Sequence, residues 1–355
     1  MRGNTDIPHG YGLFRHALTQ VTELARPDLE KLCGGNILLA GCTSFFGKWL
    51  TECLLWANAE LHLNLELTLI TRNRAAFLAR MPHFNQHAEL HVIEADATRL
   101  ENFPLRPFTH AVHAVNLLYE KAPSWPACHI YAAIHSTEQI MKLAEKAGCQ
   151  TVLYASSGGA YGVQAPQSPP FTEEAMPVTL AEPTIYGNTK RFVELYIRSL
   201  GQKMNIATPI ARLFAFAGAY NPLLERLALG SCVKAALQGK RIIIKGDGLA
   251  RRSFLDARDM TVWTLALLAR GKNTECNIGS SHDISIKELA QTVLRCANQP
   301  DSNFTVLGNA THGNAPDIYI PDISHAIRIG LTEHFTLEES IKEMISWYRL
   351  HPEQA

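Results

Sequence analysis

The sequence predicts an α/β fold: a doubly wound parallel sheet with helices on both faces, followed by a smaller α/β lobe. Three observations carry this. Short apolar runs alternate with stretches of helical period from Ile37 to Phe214. A turn with glycine at both ends, Gly41-Cys42-Thr43-Ser44-Phe45-Phe46-Gly47, joins the first run to the first of those helices. The alternation then breaks near Phe216.

Leu13 to Leu32 predicts a leading helix, and Ile37 to Ala40 a buried strand. Lys48 to Asn58 reads as a helix with Trp49, Leu50, Cys53, Leu54 and Ala57 on one side. Strands are expected at Leu65 to Thr71, Leu90 to Glu94 and Ala111 to Ala114. Ile130, Ala133, Ile134, Thr137, Ile140, Met141 and Ala144 keep helical spacing, and Gly148 stops that helix. Thr151 to Ala155 is a further strand. Pro183 to Leu200 is a helix with Pro183 in its first turn and Gly201 past its end. Ile206 to Phe214 closes the series, and Pro209 within it marks an edge or an irregular spot.

Beyond Phe216, helices are expected at Tyr220 to Gly239, Asp259 to Ala269, Ile286 to Asn298 and Leu337 to Leu350. Strands are expected at Arg241 to Lys245, Arg252 to Leu255 and Glu275 to Gly279, with a turn at Gly246-Asp247-Gly248. This divides the chain into a helical extension (1–33), a dinucleotide-binding domain (34–215) and a substrate lobe (216–258 and 280–355). Residues 259–279 return to the first sheet.

The chain has 355 residues, of which 46% are hydrophobic and 19% charged, enough to build a proper core. Its 33 basic and 33 acidic residues cancel, which argues against an electrostatic binder of nucleic acid or membranes. Eight cysteines show no Cys-x-x-Cys and no zinc spacing, so they read as reduced, mostly buried thiols of a cytoplasmic protein. The first residues lack the apolar core of a signal peptide, and no apolar run approaches membrane-spanning length.

The glycine turn is placed to face a pyrophosphate with the backbone N–H groups of the following helix. Gly41 permits the tight turn and Gly47 the close approach of helix and sheet. Ser44 stands where a middle glycine is usual, which makes approach to the phosphate less free. After the second strand an acidic residue would bind the ribose hydroxyls. Thr71 and Arg72 stand there instead, and arginine pairs with a 2′-phosphate, which adds weight to NADP over NAD. A solvated loop charge is the plain alternative for Arg72. Asp96 and Ala97 follow the third strand, where Asp96 is placed to meet an adenine amino group.

Tyr186 and Lys190 are four residues apart, on one face of a helix. A fixed cation beside a phenol favours its ionisation. Bringing a tyrosine from a pKa near 10 to about 7 needs roughly 4 kcal/mol of preferential stabilisation of the phenolate. That is the demand on a base that removes a sugar hydroxyl proton. A surface helix pair is the bland alternative. Upstream lies a run of small residues, Ser156-Ser157-Gly158-Gly159-Ala160-Tyr161-Gly162.

Taken in order, these pieces resemble the extended short-chain dehydrogenase/reductase superfamily, in its NAD-dependent epimerase/dehydratase branch, over nearly everything after about residue 34. The motifs are Gly41 to Gly47, His113-Ala114-Val115, Ser156 to Gly162, Tyr186 to Lys190, Arg251-Arg252-Ser253-Phe254 and Asn277-Ile278-Gly279-Ser280. The resemblance implies a Rossmann-type nucleotide fold. In it Tyr186 is the catalytic acid/base, and Lys190 binds the nicotinamide ribose and lowers the tyrosine pKa. Ser157 hydrogen-bonds the reacting sugar oxygen beside Gly158. Arg252 holds the substrate diphosphate, unless it merely pairs with Asp256 or Asp259. His113, Ala114 and Val115 lie along the cofactor. Asn116 binds substrate or caps its turn. Tyr161 lines the sugar pocket or packs.

Departures from the branch narrow the chemistry. Its 4,6-dehydratases carry Asp-Glu where this chain has Gly158-Gly159, and its decarboxylases usually carry a Glu there. An asparagine usual after the sixth strand is missing from Arg212-Leu213-Phe214-Ala215. The expectation is therefore a nucleotide-sugar epimerase or ketoreductase acting at C4. The rivals are a 4,6-dehydratase using Glu173 or Glu174 and a dinucleotide sensor without turnover. The resemblance also suggests surface polysaccharide or deoxysugar synthesis, and a homodimer through the Ile130–Ala147 and Pro183–Leu200 helices.

Overall fold

The computed structural model describes residues 6–104, 106–115, 127–164, 168–175, 185–309 and 317–354. The chain forms two compact units. The first comprises Met1–Gly162, Thr179–Leu213 and Thr261–Cys276, and the second comprises Val163–Val178, Phe214–Met260 and Asn277–Ala355.

In chain order the elements begin with α1 (Arg15–Leu29), β1 (Asn36–Ala40), α2 (Phe45–Leu61), β2 (Glu66–Thr71), α3 (Arg74–Arg80) and β3 (Leu90–Glu94). They continue with β4 (His110–His113), α4 (Ala127–Ala147), β5 (Thr151–Ser157), α5 (Ile185–Met204) and β6 (Ile210–Leu213). Then come β7 (Phe216–Ala217), α6 (Ala228–Leu237), β8 (Ile242–Ile244), β9 (Arg251–Ser253), β10 (Leu255–Asp256), α7 (Ala257–Arg270) and β11 (Glu275–Ile278). The chain ends with β12 (Asp283–Ser285), α8 (Ile286–Cys296), β13 (Phe304–Val306), β14 (Ile318–Tyr319), α9 (Ser324–Arg328) and α10 (Leu337–Leu350).

Seven strands form one sheet in the order β11-β6-β5-β4-β1-β2-β3. β1 lies parallel to both β2 and β4, and the order reverses there. β1 and the middle of β5 read as continuous apolar runs because both faces are covered. Leu38, Ala111 and Val152 of the sheet pack in one cluster with Ile140, Met141 and Ala144 of α4 and Val193 and Ile197 of α5. The predicted doubly wound α/β class is the observed one.

α2 is apolar on every side, with Trp49, Leu50, Cys53, Leu54, Leu55 and Trp56 all buried. Such a helix needs cover on its outer face as well, and α1 packs there. The arm before α1 is tied down by Glu52 of α2, whose side chain is fully buried. Gly12 N and Leu13 N donate to its Oε2 at 2.8 and 2.9 Å, and His83 Nε2 lies 3.0 Å from Oε1. Glu52→Gln turns one acceptor into a donor facing these groups. It is expected to cost about 1–3 kcal/mol and to speed amide exchange at Gly12 and Leu13. An unchanged melting curve and unchanged exchange would contradict that.

Among the described residues, the second unit carries three small sheets. β9 is flanked by antiparallel β12 and parallel β14, β10 pairs with β7, and β13 with β8. α6, α8 and α10 pack together, and α8 and α10 each start with a reciprocal Ser/Thr–Glu capping box.

Four expectations change. The helix expected to stop at Leu200 runs to Met204, with Gly201 inside it. A Cβ at Gly201 would lie 2.6 Å from Thr208 Cγ2, so this glycine serves close packing and not termination. β6 lies inside the sheet between β11 and β5. Pro209 precedes it; its carbonyl accepts from Tyr154 N at 2.9 Å, and its missing N–H leaves out one donor of the β5–β6 ladder. The helix expected over Tyr220 to Gly239 is confined to α6, because Tyr220 takes a positive φ of 64° and Pro222 follows. The strand expected over Arg252 to Leu255 is two short strands, β9 and β10.

Candidate active site

The glycine turn brings the end of β1 against the end of β4. Gly41 has φ 77°, and a Cβ on it would lie 2.3 Å from Val115 N and 2.4 Å from Ala114 C. Neither the left-handed conformation nor the contact admits a side chain. A Cβ on Gly47 would lie 2.2 Å from Cys42 Cα. Between them, Thr43 and Phe45 are half-buried, Phe46 is buried, and Ser44 is exposed. Ser44 is the N-cap of α2 with φ −99°, a conformation any residue adopts, and its hydroxyl makes no capping bond. A middle glycine is therefore not required by the local backbone.

Thr71 ends β2, and its hydroxyl bonds with the backbone of Asn73. Arg72 is exposed just beyond. Asp96 is exposed and accepts from Thr98 N and Oγ1, while Ala97 is buried. Ala114 and Val115, at the end of β4, are half-buried. Asn116 lies outside the described residues.

His113 is buried, and burial, reinforced by the Lys190 charge, pushes its pKa down to about 3. Thr137 spends its hydroxyl proton on Ala133 O, so it must accept from His113 Nε2 at 2.9 Å. That fixes the neutral tautomer with hydrogen on Nε2.

On α5, Tyr186 is half-buried and Lys190 is 7% exposed. Lys190 Nζ donates to Ala155 O at 2.8 Å and lies 4.9 Å from the Tyr154 ring and 6.0 Å from the Tyr186 ring. Burial pulls its pKa down to about 8, against the opposing pull of Glu194. Two phenols thus flank one ammonium. Tyr154 is the more buried, and burial holds its pKa well above the usual range.

Ser157 ends β5 and caps the turn Gly158–Tyr161, where its Oγ accepts from Gly159 N at 3.1 Å. Its own proton then remains to be donated. A Cβ on Gly159 would stand 3.4 Å from both Ser157 Oγ and the Tyr186 ring. Ser157, Gly159, Tyr186 and Lys190 are therefore one cluster.

Beneath it lies a network that the spacing of motifs does not single out. Glu194 accepts from Ser156 Oγ and from Arg212 Nε and Nη2, the latter at 2.9 Å. Arg212 Nη1 donates to Tyr161 Oη at 2.8 Å, and Tyr161 is buried, as its packing alternative requires. The available signal was a stripe on one helix face, Tyr186, Lys190 and Glu194 at successive i,i+4 steps.

In the second unit, Arg252 bonds Asp317 Oδ2 at 2.5 Å and Asp317 O at 3.1 Å. Neither expected alternative partner is used: Asp256 pairs with Arg258 and Asp259 with His334. Glu173 accepts from Asn277 N at 2.8 Å, and burial raises its pKa. Asn277 Nδ2 donates to Phe171 O and Asp322 O, which accounts for the Asn-x-Gly-Ser turn as a local brace. A cavity of about 250 Å³ opens among α6, β8 and the turn Gly246–Gly248, lined by Arg226, Ser231, Ile243, Lys245 and Asp247. Among the described residues, no helix is long and apolar enough to cross a membrane.

A model of the NAD dependent epimerase/dehydratase family matches residues 37–279. Mouse dTDP-D-glucose 4,6-dehydratase is 24% identical over 227 residues, 62% of this chain and 61% of that protein. The chain thus spans about three fifths of the length of the curated relatives it matches first. The fold is shared with UDP-N-acetylglucosamine 4-epimerase from Methanobrevibacter ruminantium (TM-score 0.76, 18% identity, 89% of this chain and 99% of that one). It is also shared with dTDP-glucose 4,6-dehydratase of Bacillus anthracis in complex with NAD (TM-score 0.73, 16% identity, 90% and 98%).

Proposed function

The chain belongs to the NAD dependent epimerase/dehydratase family, and we propose that it is an epimerase or ketoreductase of a nucleotide-activated sugar, working at C4 of the hexose. One observation carries the choice. Ser157 and Tyr186 meet at Gly159 with Lys190 beside the Tyr186 ring, and neither Gly158 nor Gly159 offers the carboxylate that elimination needs.

Gly41 and Gly47 support a dinucleotide there: the tight turn and the close helix–sheet contact that they permit set the N-terminus of α2 to face a pyrophosphate. Thr43, Ser44, Phe45 and Phe46 would complete that turn, Asp96 and Ala97 the adenosine end, and His113, Ala114, Val115 and Lys190 the nicotinamide half. Arg72 favours NADP over NAD through the 2′-phosphate. When bound, the nicotinamide supplies the reversible redox partner of the sugar carbon. Lys190, protonated below about pH 8, favours the Tyr186 phenolate. Tyr186 Oη then exchanges a proton with the sugar hydroxyl, and Ser157 Oγ–H donates to the same oxygen. Neutral His113 adds no second cation against Lys190. Arg252 would take the nucleotide diphosphate of the substrate.

The test is incubation with a panel of UDP- and dTDP-hexoses and their 4-keto forms, with NAD or NADP, read by NMR. A C4 epimer or a C4 alcohol supports the reading, and no conversion anywhere on the panel contradicts it. Co-purified dinucleotide, identified by mass spectrometry, would favour epimerisation, and stoichiometric oxidation of added NADPH would favour reduction. A second reading, a 4,6-dehydratase drawing on Glu173, is favoured by the raised pKa of that carboxyl. Absence of a 4-keto-6-deoxy product from dTDP-glucose ends it.

The protein is also proposed to act as a homodimer through α4 and α5. Ile130, Tyr131, Phe192 and Leu195 of these helices are large apolar side chains left 39–64% exposed. Leu195→Glu is expected to give a folded monomer by light scattering. A wild-type monomer at micromolar concentration would contradict the proposal.

A further inference from the structure

We propose that Glu194 is the positioning residue of this site: its buried carboxylate locks Ser157, the Gly158–Tyr161 turn and α5 to one another and keeps Lys190 in its ammonium form. The inference rests on the reading of Tyr186 as acid/base given above. Glu194 is 5% exposed at its side chain and lies one helical turn beyond Lys190 and two beyond Tyr186. One oxygen accepts from Ser156, the residue before Ser157. The carboxylate also takes Arg212 in a fork, Nε at 3.1 Å and Nη2 at 2.9 Å. Arg212 in turn donates to Tyr161 at 2.8 Å and stacks 4.8 Å over its ring, holding the far end of the turn that Ser157 begins. β5, α5 and β6 thus meet at one carboxylate, and Arg212 extends the link to the turn.

Charge makes the same residue necessary. Lys190 and Arg212 are both buried cations, and Glu194 acts on both. The other groups facing this cluster are Tyr154 from β5, Tyr161 from the turn, neutral His113 from β4, and Arg198, which is paired with Glu275. With Glu194 ionised the Lys190–Arg212–Glu194 set carries one net positive charge, which a Tyr186 phenolate neutralises. Without that carboxylate the set would carry two, and Lys190 is the member able to shed its proton.

The test is the pH profile of kcat for Glu194→Gln and Glu194→Asp, with dinucleotide affinity measured in parallel. Glu194→Gln is expected to move the alkaline limb down by about one pH unit, since a nearby opposite charge shifts a pKa by that order. Glu194→Asp should return the limb toward that of the parent. Dinucleotide affinity should stay within about twofold, which separates loss of chemistry from loss of binding. A Glu194→Gln profile that superimposes on the parent, while Tyr186→Phe is inactive, overturns this inference alone. Full turnover by Tyr186→Phe overturns the reading beneath it. Should Glu194→Gln not fold, Ser156→Ala removes only the strand-side bond and is expected to lower kcat about tenfold at constant KM. An unchanged kcat in that variant overturns the proposal.

Discussion

Tyr186→Phe is expected to lower kcat by about 10²- to 10⁴-fold, the range for loss of a positioned acid/base, while the fold and dinucleotide affinity persist. The substitution removes one oxygen from a half-buried ring and leaves the ring contact over Gly159 in place. Tyr154 cannot substitute for it, because burial holds that phenol well above the usual range. Residual activity in Tyr186→Phe should therefore not be abolished further by Tyr154→Phe in a way that depends on pH. The check is single-turnover kinetics of both variants beside dinucleotide binding. Comparable rates in Tyr186→Phe and parent would end the assignment.

Lys190→Met is expected to remove turnover by at least about 10²-fold without lowering stability at neutral pH. The sign follows from linkage. In the unfolded chain Lys190 titrates at its ordinary value of 10.5, and in the fold at about 8. Between those values the unfolded state binds more protons, so this residue makes stability rise with pH across the window and imposes a standing cost below it. The cost is on the order of 3 kcal/mol at about 1.4 kcal/mol per unit. Removal of the ammonium relieves it but leaves Ala155 O without that donor, worth about 1–3 kcal/mol. The two nearly cancel. Lys48, also pulled down to about 8 by burial, titrates in the same window, so the informative quantity is the difference between parent and variant. Urea melts from pH 7 to 10 should show the parent gaining on Lys190→Met as pH rises. A variant several kcal/mol less stable at pH 7, or parallel curves throughout, would contradict this.

The parts legible in the sequence are those whose signal is local. Strands β1 and β5 are covered on both faces and carry unbroken apolar runs, Ile37 to Ala40 and Val152 to Ala155. Gly41 and Gly47 mark a turn that no other residue fits, and Tyr186 and Lys190 share a helix face at i,i+4 spacing. What was hidden depends on partners distant in the chain. Gly201 looks like a helix stop until Thr208 is seen packed against it. Arg252 bonds Asp317, 65 residues away, and not the nearer Asp256 or Asp259. Glu194 looks like a solvated helix charge until Arg212 and Ser156 close on it. The arm before α1 has no motif at all. Its anchor is Glu52, and the available clue was an acidic residue set among the apolar residues Trp49 to Ala57 of α2.

In the proposed reaction Tyr186, held beside Lys190 and Ser157, moves the proton while a sugar carbon exchanges hydride with a bound nicotinamide. Stopped-flow absorbance of the reduced nicotinamide, recorded for parent and Tyr186→Phe mixed with the sugar-nucleotide panel, tests it most directly. The expected result is a change in that band with at least one sugar nucleotide in the parent, and one slowed at least about hundredfold in the variant. No change with any sugar despite bound dinucleotide, or equal rates in the two proteins, would contradict it.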